Sequence, residues 1–252
     1  MVTPATHYST RTLVGQLRKK LQTAQQLAPA VRVRRDDLDD IVTSTDVELI
    51  GEDKRILRVK ERVESLSKDN DPILVVGPQG SGKRTLARYF HKVGPRHDEP
   101  YVEISLVDPG PGGAGAAVFG LESRPGTSAK GQVGYLEMIR EGTLAIVHAE
   151  LLDAHLQALL AQYLRLGWFH RLYGQEAVRC QTRVVLVATG DEAGTLDKLV
   201  PELRELVAQR TVVAPALTQR LKDIPLLAEH YLRIHAARAG RKAAPLSRAA
   251  TE

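Results

Sequence analysis

Short apolar runs alternate with longer segments of helical spacing along most of this chain. Residues 83–90 and 154–166 carry apolar side chains three and four positions apart, which predicts helices. Four other runs are rich in β-branched and aliphatic residues, as strands buried on both faces are, and they lie at 73–76, 101–105, 143–147 and 184–188. Strands that alternate with helices predict an α/β fold, with a mainly parallel sheet flanked by helices.

Weaker patterns predict the smaller elements. A helix that carries Ile56, Val59 and Val63 is expected before the first strand. We expect the glycine-rich segment 108–117 to be flexible and residues 130–140 to form a helix. Residues 167–172 and 177–182 are predicted to pair as a hairpin around Gly174. After the fourth strand, helices are predicted to dominate to about Ala239.

The first 46 residues differ in pattern from the rest of the chain. Leu13, Leu17 and Leu21 recur at helical spacing, which predicts one amphipathic helix over about 12–27. A stretch that changes abruptly from basic to acidic, VRVRRDDLDDI, follows this helix. We therefore predict a helical and linker segment at 1–46, followed by a compact nucleotide-binding core at 47–225.

Composition places few limits on function. Of the 252 residues, 43% are hydrophobic and 26% are charged, as in ordinary globular proteins, and the net charge of +5 permits an acidic partner without requiring one. The single cysteine, Cys180, excludes an internal disulfide and is expected to be a packing residue in a reducing compartment. The chain has no membrane-length apolar run, signal peptide or helix-turn-helix pattern. We expect a cytoplasmic protein that does not contact a membrane or bind DNA directly.

A glycine-rich loop between the first strand and the next helix supplies the chemistry. Its sequence, GPQGSGK at 77–83, fits the phosphate-loop motif, in which backbone N–H groups and the helix start face phosphate oxygens. Lys83 is expected to reach the β- and γ-phosphates as a point charge. We therefore predict bound ATP or ADP. The candidate binding residues are Gly77, Pro78, Gln79, Gly80, Ser81, Gly82, Lys83, Arg84 and Thr85.

One position departs from this motif. The residue after the lysine is normally a Ser or Thr whose hydroxyl contacts Mg²⁺, and here it is Arg84. Thr85 comes one residue late and faces elsewhere, because a helix turns by about 100° per residue. No metal ligand is assigned, and whether Mg²⁺ accompanies the nucleotide stays open.

Several motifs taken together resemble the AAA+ ATPase domain of bacterial enhancer-binding proteins, the sigma-54-dependent transcription activators. The resemblance covers about 49–232 and rests on LIGED at 49–53, GPQGSGK at 77–83, VFG at 118–120, EGTL at 141–144, LVATGD at 186–191 and KDIPLLAEHYL at 222–232. It implies a P-loop NTPase fold with an AAA+ type parallel sheet. It also implies a ring-like homo- or hetero-oligomer that works with the transcription machinery. Residues 226–252 are then expected to be the start of a helical lid that this chain truncates.

The catalytic positions of that family are replaced in this chain. By the resemblance, Val147 and His148 stand where the family has its metal-binding Asp and its catalytic Glu. Ser105 stands at the position of the asparagine that restrains that Glu, and Gly190 at that of the sensor asparagine. The nearest acids are Glu150 and Asp153, and Arg204 is the nearest candidate for the arginine that reaches a neighbouring subunit. The sigma-contacting GAFTGA loop is absent, and residues 121–132 occupy its place.

Three functions are compatible with these residues. The first is a degenerate AAA+ module that binds nucleotide for regulation and hydrolyses it little or not at all. The second is an active ATPase that regulates sigma-54-dependent transcription. The third is a scaffold with a vestigial nucleotide site. Loss of the metal ligand, general base and sensor favours the first over the second, since phosphoryl transfer depends on positioned metal and water. The intact glycine loop and Lys83 favour it over the third.

Overall fold

The structure is a computed structural model that describes residues 47–110, 112–123 and 131–247. The predicted helix at 12–27 and the whole of segment 1–46 lie outside this part of the chain. So does most of the segment that replaces the GAFTGA loop.

Within the described residues, the strands are β1 (Ile73–Gly77), β2 (Tyr101–Ser105), β3 (Gly120–Leu121), β4 (Gln132–Val133), β5 (Thr143–Val147), β6 (Trp168–His170), β7 (Ala177–Arg179), β8 (Arg183–Thr189) and β9 (Thr211–Val213). Five of them run parallel and form the central sheet, in the order β2-β5-β8-β1-β9. Two further antiparallel pairs are formed by β3 with β4 and by β6 with β7. The four predicted central strands, the hairpin and the α/β class are confirmed.

Helices cover both faces of this sheet. They are α1 (Lys54–Leu66), α2 (Lys83–Lys92), α3 (Gly113–Phe119), α4 (Tyr135–Ile139), α5 (Ala154–Leu166), α6 (Glu192–Leu196), α7 (Pro201–Val207) and α8 (Asp223–Arg238), with short 3-10 turns at Ala149–Leu151, Ala208–Arg210 and Leu217–Gln219. In the ranges that the structure covers, no helix combines the length and the apolar character needed to cross a membrane.

Alternation along β1 divides the core into two layers. Ile73 and Val75 pack with α1 and α2 on one face of the sheet, whereas Leu74 and Val76 pack with α3, α4, α5 and α7 on the other. All four of these side chains are fully buried. A strand that is apolar at every position is the pattern expected at the centre of a parallel sheet.

The structure departs from three of the smaller predictions. Residues 113–117, part of the segment 108–117 that is predicted to be flexible, lie in helix α3, where Gly115 approaches Leu156 and Leu172 too closely for a side chain. Val118 and Phe119 are buried, as predicted. The helix expected at 130–140 is confined to α4, and β4 precedes it. Helices dominate the region after β8, as predicted, but the sequence does not predict strand β9, which lies within that region and pairs with β1.

A buried polar layer lies where the strands of the sheet begin. His91 in α2 is fully buried, and its Nδ1 lies 2.8 Å from Thr143 Oγ1. The Arg183 guanidinium lies 3.7 Å from the centre of the Phe90 ring and donates a hydrogen bond to the Ser67 carbonyl at 3.1 Å. Burial, reinforced by the positive charge of Arg183 and by His97, lowers the pKa of His91 to about 3. His91 is therefore neutral in the folded protein near pH 7.

We expect the free energy of unfolding to fall as pH drops from about 6.5 toward 3. The unfolded chain protonates His91 near its ordinary pKa of about 6.5, whereas the folded chain does so only near a pKa of about 3. The unfolded state therefore binds more protons between these two pH values. The contribution of His91 to stability is complete above pH 6.5 and is lost as the pH falls toward 3. One proton taken up on unfolding changes the free energy of unfolding by at most about 1.4 kcal/mol per pH unit.

Denaturant titrations at several pH values within this window test the expectation. His91→Gln should flatten the acid-side slope by close to one proton, whereas the same change at the exposed His155 should leave it unchanged. Equal slopes for the wild type and His91→Gln would show that another group causes the loss of stability in acid.

Candidate nucleotide-binding site

The glycine loop joins the end of β1 to the start of α2. Gly82 is the N-cap of α2 and has φ 89°, a left-handed conformation that favours glycine. No side chain caps α2, so the N–H groups of its first turn have no partner within the helix. The Ser81 N–H of the loop donates to the Pro78 carbonyl at 3.3 Å. The helix start therefore presents N–H groups without a helical partner and the positive end of the helix dipole, which is the arrangement that binds phosphate.

Lys83 is held inside this loop. Its side chain folds back so that Nζ donates a hydrogen bond to the Pro78 carbonyl at 2.8 Å, and the residue is only 9% exposed. Burial lowers the pKa of the Lys83 ammonium, and the negative charge of Glu150 opposes this shift. A phosphate that entered the loop would compete with both the carbonyl and the carboxylate for this cation.

Arg84, which replaces the usual hydroxyl, is paired with an acid in β2. Its guanidinium forms a hydrogen-bonded ion pair with Glu103, whose side chain is 3% exposed. Arg88 in the same helix lies 3.5 Å from the second carboxylate oxygen of Glu103, and the Tyr101 hydroxyl donates to that oxygen at 3.2 Å. Arg84 therefore has an acidic partner within the protein, which it shares with Arg88, and Lys83 is the cation of the loop itself.

The turn after β5 brings a histidine and a glutamate to the carboxyl edge of the sheet. Val147 ends β5 as a buried apolar residue, and His148 follows it in a left-handed conformation with φ 60°. The His148 Nδ1 lies 3.2 Å from Glu150 Oε1, and Glu150 Oε2 accepts a hydrogen bond from the Thr189 N–H at 3.2 Å. Glu150 therefore reaches the end of β8, although it lies beyond the two positions that the family uses.

Ser105 and Gly190, the other two positions at which the family's catalytic residues are replaced, form hydrogen bonds with the backbone. Ser105 pairs in register with Val147, and its hydroxyl oxygen accepts the Val107 N–H at 3.4 Å. Gly190 donates its N–H to the Gly77 carbonyl at 3.2 Å and has φ 147°, which few side chains tolerate. A Cβ there would lie 3.2 Å from Thr195 Oγ1. Gly190, at the sensor position, is thus hydrogen-bonded through its main chain to the residue where the phosphate loop begins.

These residues do not fit the family's magnesium site. Mg²⁺ prefers oxygen ligands, usually carboxylates together with water and substrate phosphates. Val147 has no ligand atom, and Arg84 brings a cation to the place of the hydroxyl. Within the ranges that the structure describes, no group of three or more Asp, Glu, His and Cys side chains could hold a metal ion.

A mainly apolar cleft of about 340 Å³ adjoins the phosphate loop. Its walls come from the segment before α1, from the loop and α2, and from α8, and they include Leu49, Ile50, Ile56, Thr85, Leu86, Leu217, Ile224, Leu227 and Tyr231. Gly80, Ser81 and Gly82 also line the cleft, so the sequence predicts these three and Thr85 but none of the apolar walls. The motifs at 49–53 and 222–232 are the sequence signal for those walls.

A buried ion pair connects the walls of the cleft. Arg220, which is 5% exposed, donates a hydrogen bond to the Ser81 carbonyl of the loop at 2.9 Å and lies 3.9 Å from Asp223 Oδ2. The other oxygen of Asp223 accepts the backbone N–H groups of Glu52 and Asp53 at 2.8 and 3.1 Å. The loop, the start of α8 and the segment before α1 are therefore linked by hydrogen bonds and charge.

Comparison with known proteins identifies the family. The family profile described as the Sigma-54 interaction domain matches residues 49–206. The Nif-specific regulatory protein of Rhizobium leguminosarum bv. trifolii is 28% identical over 188 residues, which cover 73% of this chain and 53% of that protein. The Nif-specific regulatory protein of Azotobacter vinelandii is 30% identical over 189 residues, which cover 73% and 36% respectively.

A solved structure confirms the fold. The crystal structure of NtrX from Brucella abortus in complex with ATP matches with a TM-score of 0.70 at 22% identity, covering 96% of this chain and 51% of that one. The chain therefore spans about half or less of the length of these proteins. The predicted P-loop NTPase fold with an AAA+ type sheet is confirmed. With a profile match across well over half of its residues, the chain belongs to the Sigma-54 interaction domain family.

Proposed function

We propose that this chain is a nucleotide-binding module in transcription regulation that binds ATP or ADP and hydrolyses ATP very slowly or not at all. The observation that carries the proposal is the coexistence of the glycine loop and its Lys83 with an apolar valine at the family's metal-binding position. Transcription regulation is drawn from the family and from the Nif-specific regulatory proteins that the chain resembles.

Nucleotide binding is supported by two adjacent surfaces of suitable chemistry. The start of α2 offers N–H groups without a helical partner and the loop offers Lys83 to phosphates, and the neighbouring cleft offers apolar walls to a base. NtrX, which shares the fold, was crystallised with ATP and with ADP. Backbone donors do not depend on catalytic side chains, so binding survives the substitutions at the sheet edge.

Weak hydrolysis is supported by the residues at the carboxyl ends of β2, β5 and β8. Phosphoryl transfer needs a metal that bridges phosphates, an oriented water and added positive charge in the transition state. Val147 is apolar, and Gly190 offers no side chain to hold a water or a phosphate. Arg204, the candidate for reaching a neighbouring subunit, is paired with Asp197 in its own chain. Each missing group is worth on the order of 10²-fold in rate or more.

One observation favours the alternative of an active ATPase. Glu150 brings a carboxylate to the same edge, near Lys83 and hydrogen-bonded to the end of β8. In that case Glu150 would act as the general base in place of His148. Measured turnover decides between these functions.

Lys83→Ala is expected to remove most nucleotide affinity without unfolding the chain, because it deletes the cation of the loop. With ATP or ADP at about 100 times the dissociation constant, binding should stabilise the wild type by about 2.7 kcal/mol. Thermal denaturation with and without nucleotide should show this rise in the wild type and not in the variant. Lys92→Ala, at the far end of the same helix, is the matched control and should keep the rise. An equal rise in Lys83→Ala would exclude the loop as the site.

ATP turnover by the unmodified chain is expected to be far below the usual rates of phosphoryl-transfer enzymes. The double variant Val147→Asp/His148→Glu should gain turnover, because it restores the acidic pair of the family. Adding Lys83→Ala to it should abolish that gain, and melting curves should verify that each variant folds, since Val147 is buried. Phosphate release by the wild type at about 1 s⁻¹, sensitive to Lys83→Ala, would contradict the proposal.

Gly190→Asn is expected to destabilise the chain rather than to restore a sensor. The backbone at φ 147° and the nearby Thr195 hydroxyl oppose any side chain there, at a cost of order 1–3 kcal/mol. Melting temperature should fall by about 2–4 °C for each kcal/mol. Thr189→Asn, on the ordinary strand backbone just before it, should cost less. A fully stable Gly190→Asn variant with increased turnover would show that the glycine is not needed for the backbone.

A further inference from the structure

We propose that this site binds ADP in preference to ATP and that Glu150 is the residue that sets the preference. The inference rests on the proposed function, because it requires that the phosphate loop binds nucleotide. It adds which nucleotide the loop selects. Selection follows from where the Glu150 carboxylate is held and from how the charges around the loop are matched.

The position of the carboxylate is set by β8. Thr189, whose N–H donates to Glu150 Oε2 at 3.2 Å, pairs in the sheet with Gly77, where the phosphate loop begins. The other carboxylate oxygen lies 3.2 Å from the His148 ring, and the Glu150 side chain is only 20% exposed. Glu150 is therefore held on both oxygens, beside the root of the loop and close to the end of β5.

This edge is where the end of a nucleotide's phosphate chain comes to lie. The lysine of a phosphate loop reaches the β- and γ-phosphates, and ligands of open α/β sheets bind outside the carboxyl ends of the strands. The γ-phosphate of ATP extends beyond the phosphates that the loop encloses, toward the Glu150 carboxylate. The diphosphate of ADP ends before it reaches this carboxylate.

In the part of the chain that the structure describes, no lysine or arginine lies within ion-pair distance of the Glu150 carboxylate, whose contact of this kind is with His148. Lys83 is the loop's own cation, and the negative charge of Glu150 favours its charged form. Arg84 and Arg88 share the single carboxylate of Glu103 in β2. An anion that enters next to Glu150 therefore approaches another carboxylate, and like charges at short range repel. Repulsion of this kind acts on the γ-phosphate of ATP and not on ADP.

The test is calorimetric titration of the full chain with ADP and with ATP, in the presence of EDTA so that no metal bridges the anions. We expect ADP to bind the wild type on the order of tenfold more tightly than ATP. Glu150→Gln should reduce this ratio to near one by tightening ATP, with ADP little changed. The glutamine carbonyl can still accept the Thr189 N–H, so the variant should keep the fold. Glu192→Gln, an exposed acid at the start of α6, is the control and should keep the wild-type ratio.

The outcomes separate this inference from the proposed function. If neither nucleotide binds the wild type, both proposals are overturned. If both bind with equal affinity, or if Glu150→Gln leaves the ratio unchanged or weakens ATP, the selectivity assigned to Glu150 is overturned and nucleotide binding stands. Because the wild-type ratio alone can contradict the inference, it does not depend on the behaviour of the variant.

Discussion

Parallel pairing of β1 between β8 and β9 is the constraint on which the rest of the structure depends. It buries β1 between two helical layers and makes the central strands end at one edge. The register of Gly77 opposite Thr189 then places the phosphate loop beside the end of β8. The turn after β5 reaches the same edge, because β5 pairs with the other side of β8. Residues far apart in sequence thus form one site.

Charge around this site falls into two separate groups. In β2, the single carboxylate of Glu103 pairs with both Arg84 and Arg88, while Lys83 and Glu150 bring opposite charges to the carboxyl edge. A buried charge is costly without a partner, so the two arginines stabilise the Glu103 carboxylate, which is 3% exposed. The first group gives Arg84 a partner without a ligand. In the second group, a phosphate would compete with Glu150 for Lys83.

Backbone conformation limits how far the family's catalytic residues could be restored. Gly190 holds the root of the phosphate loop through its N–H at a φ that disfavours side chains. His148 lies in the left-handed region, where histidine is tolerated better than most bulky residues. Glu150 depends on this turn to reach Thr189. Two of the replaced positions, His148 and Gly190, therefore have backbone conformations that restrict which side chains can return there.

The sequence by itself determined the four central strands, the hairpin, the phosphate loop and the family, because strands buried on both faces and glycine loops have strong local patterns. It could not predict α3 or β9, which are stabilised by contacts with distant residues: α3 approaches Leu156 and Leu172, and β9 pairs with β1. The apolar cleft likewise joins segments from opposite ends of the domain. Only the tertiary structure placed Glu150 at the edge of the site. Its hydrogen bond spans 39 positions, and no local pattern encodes a contact at that distance.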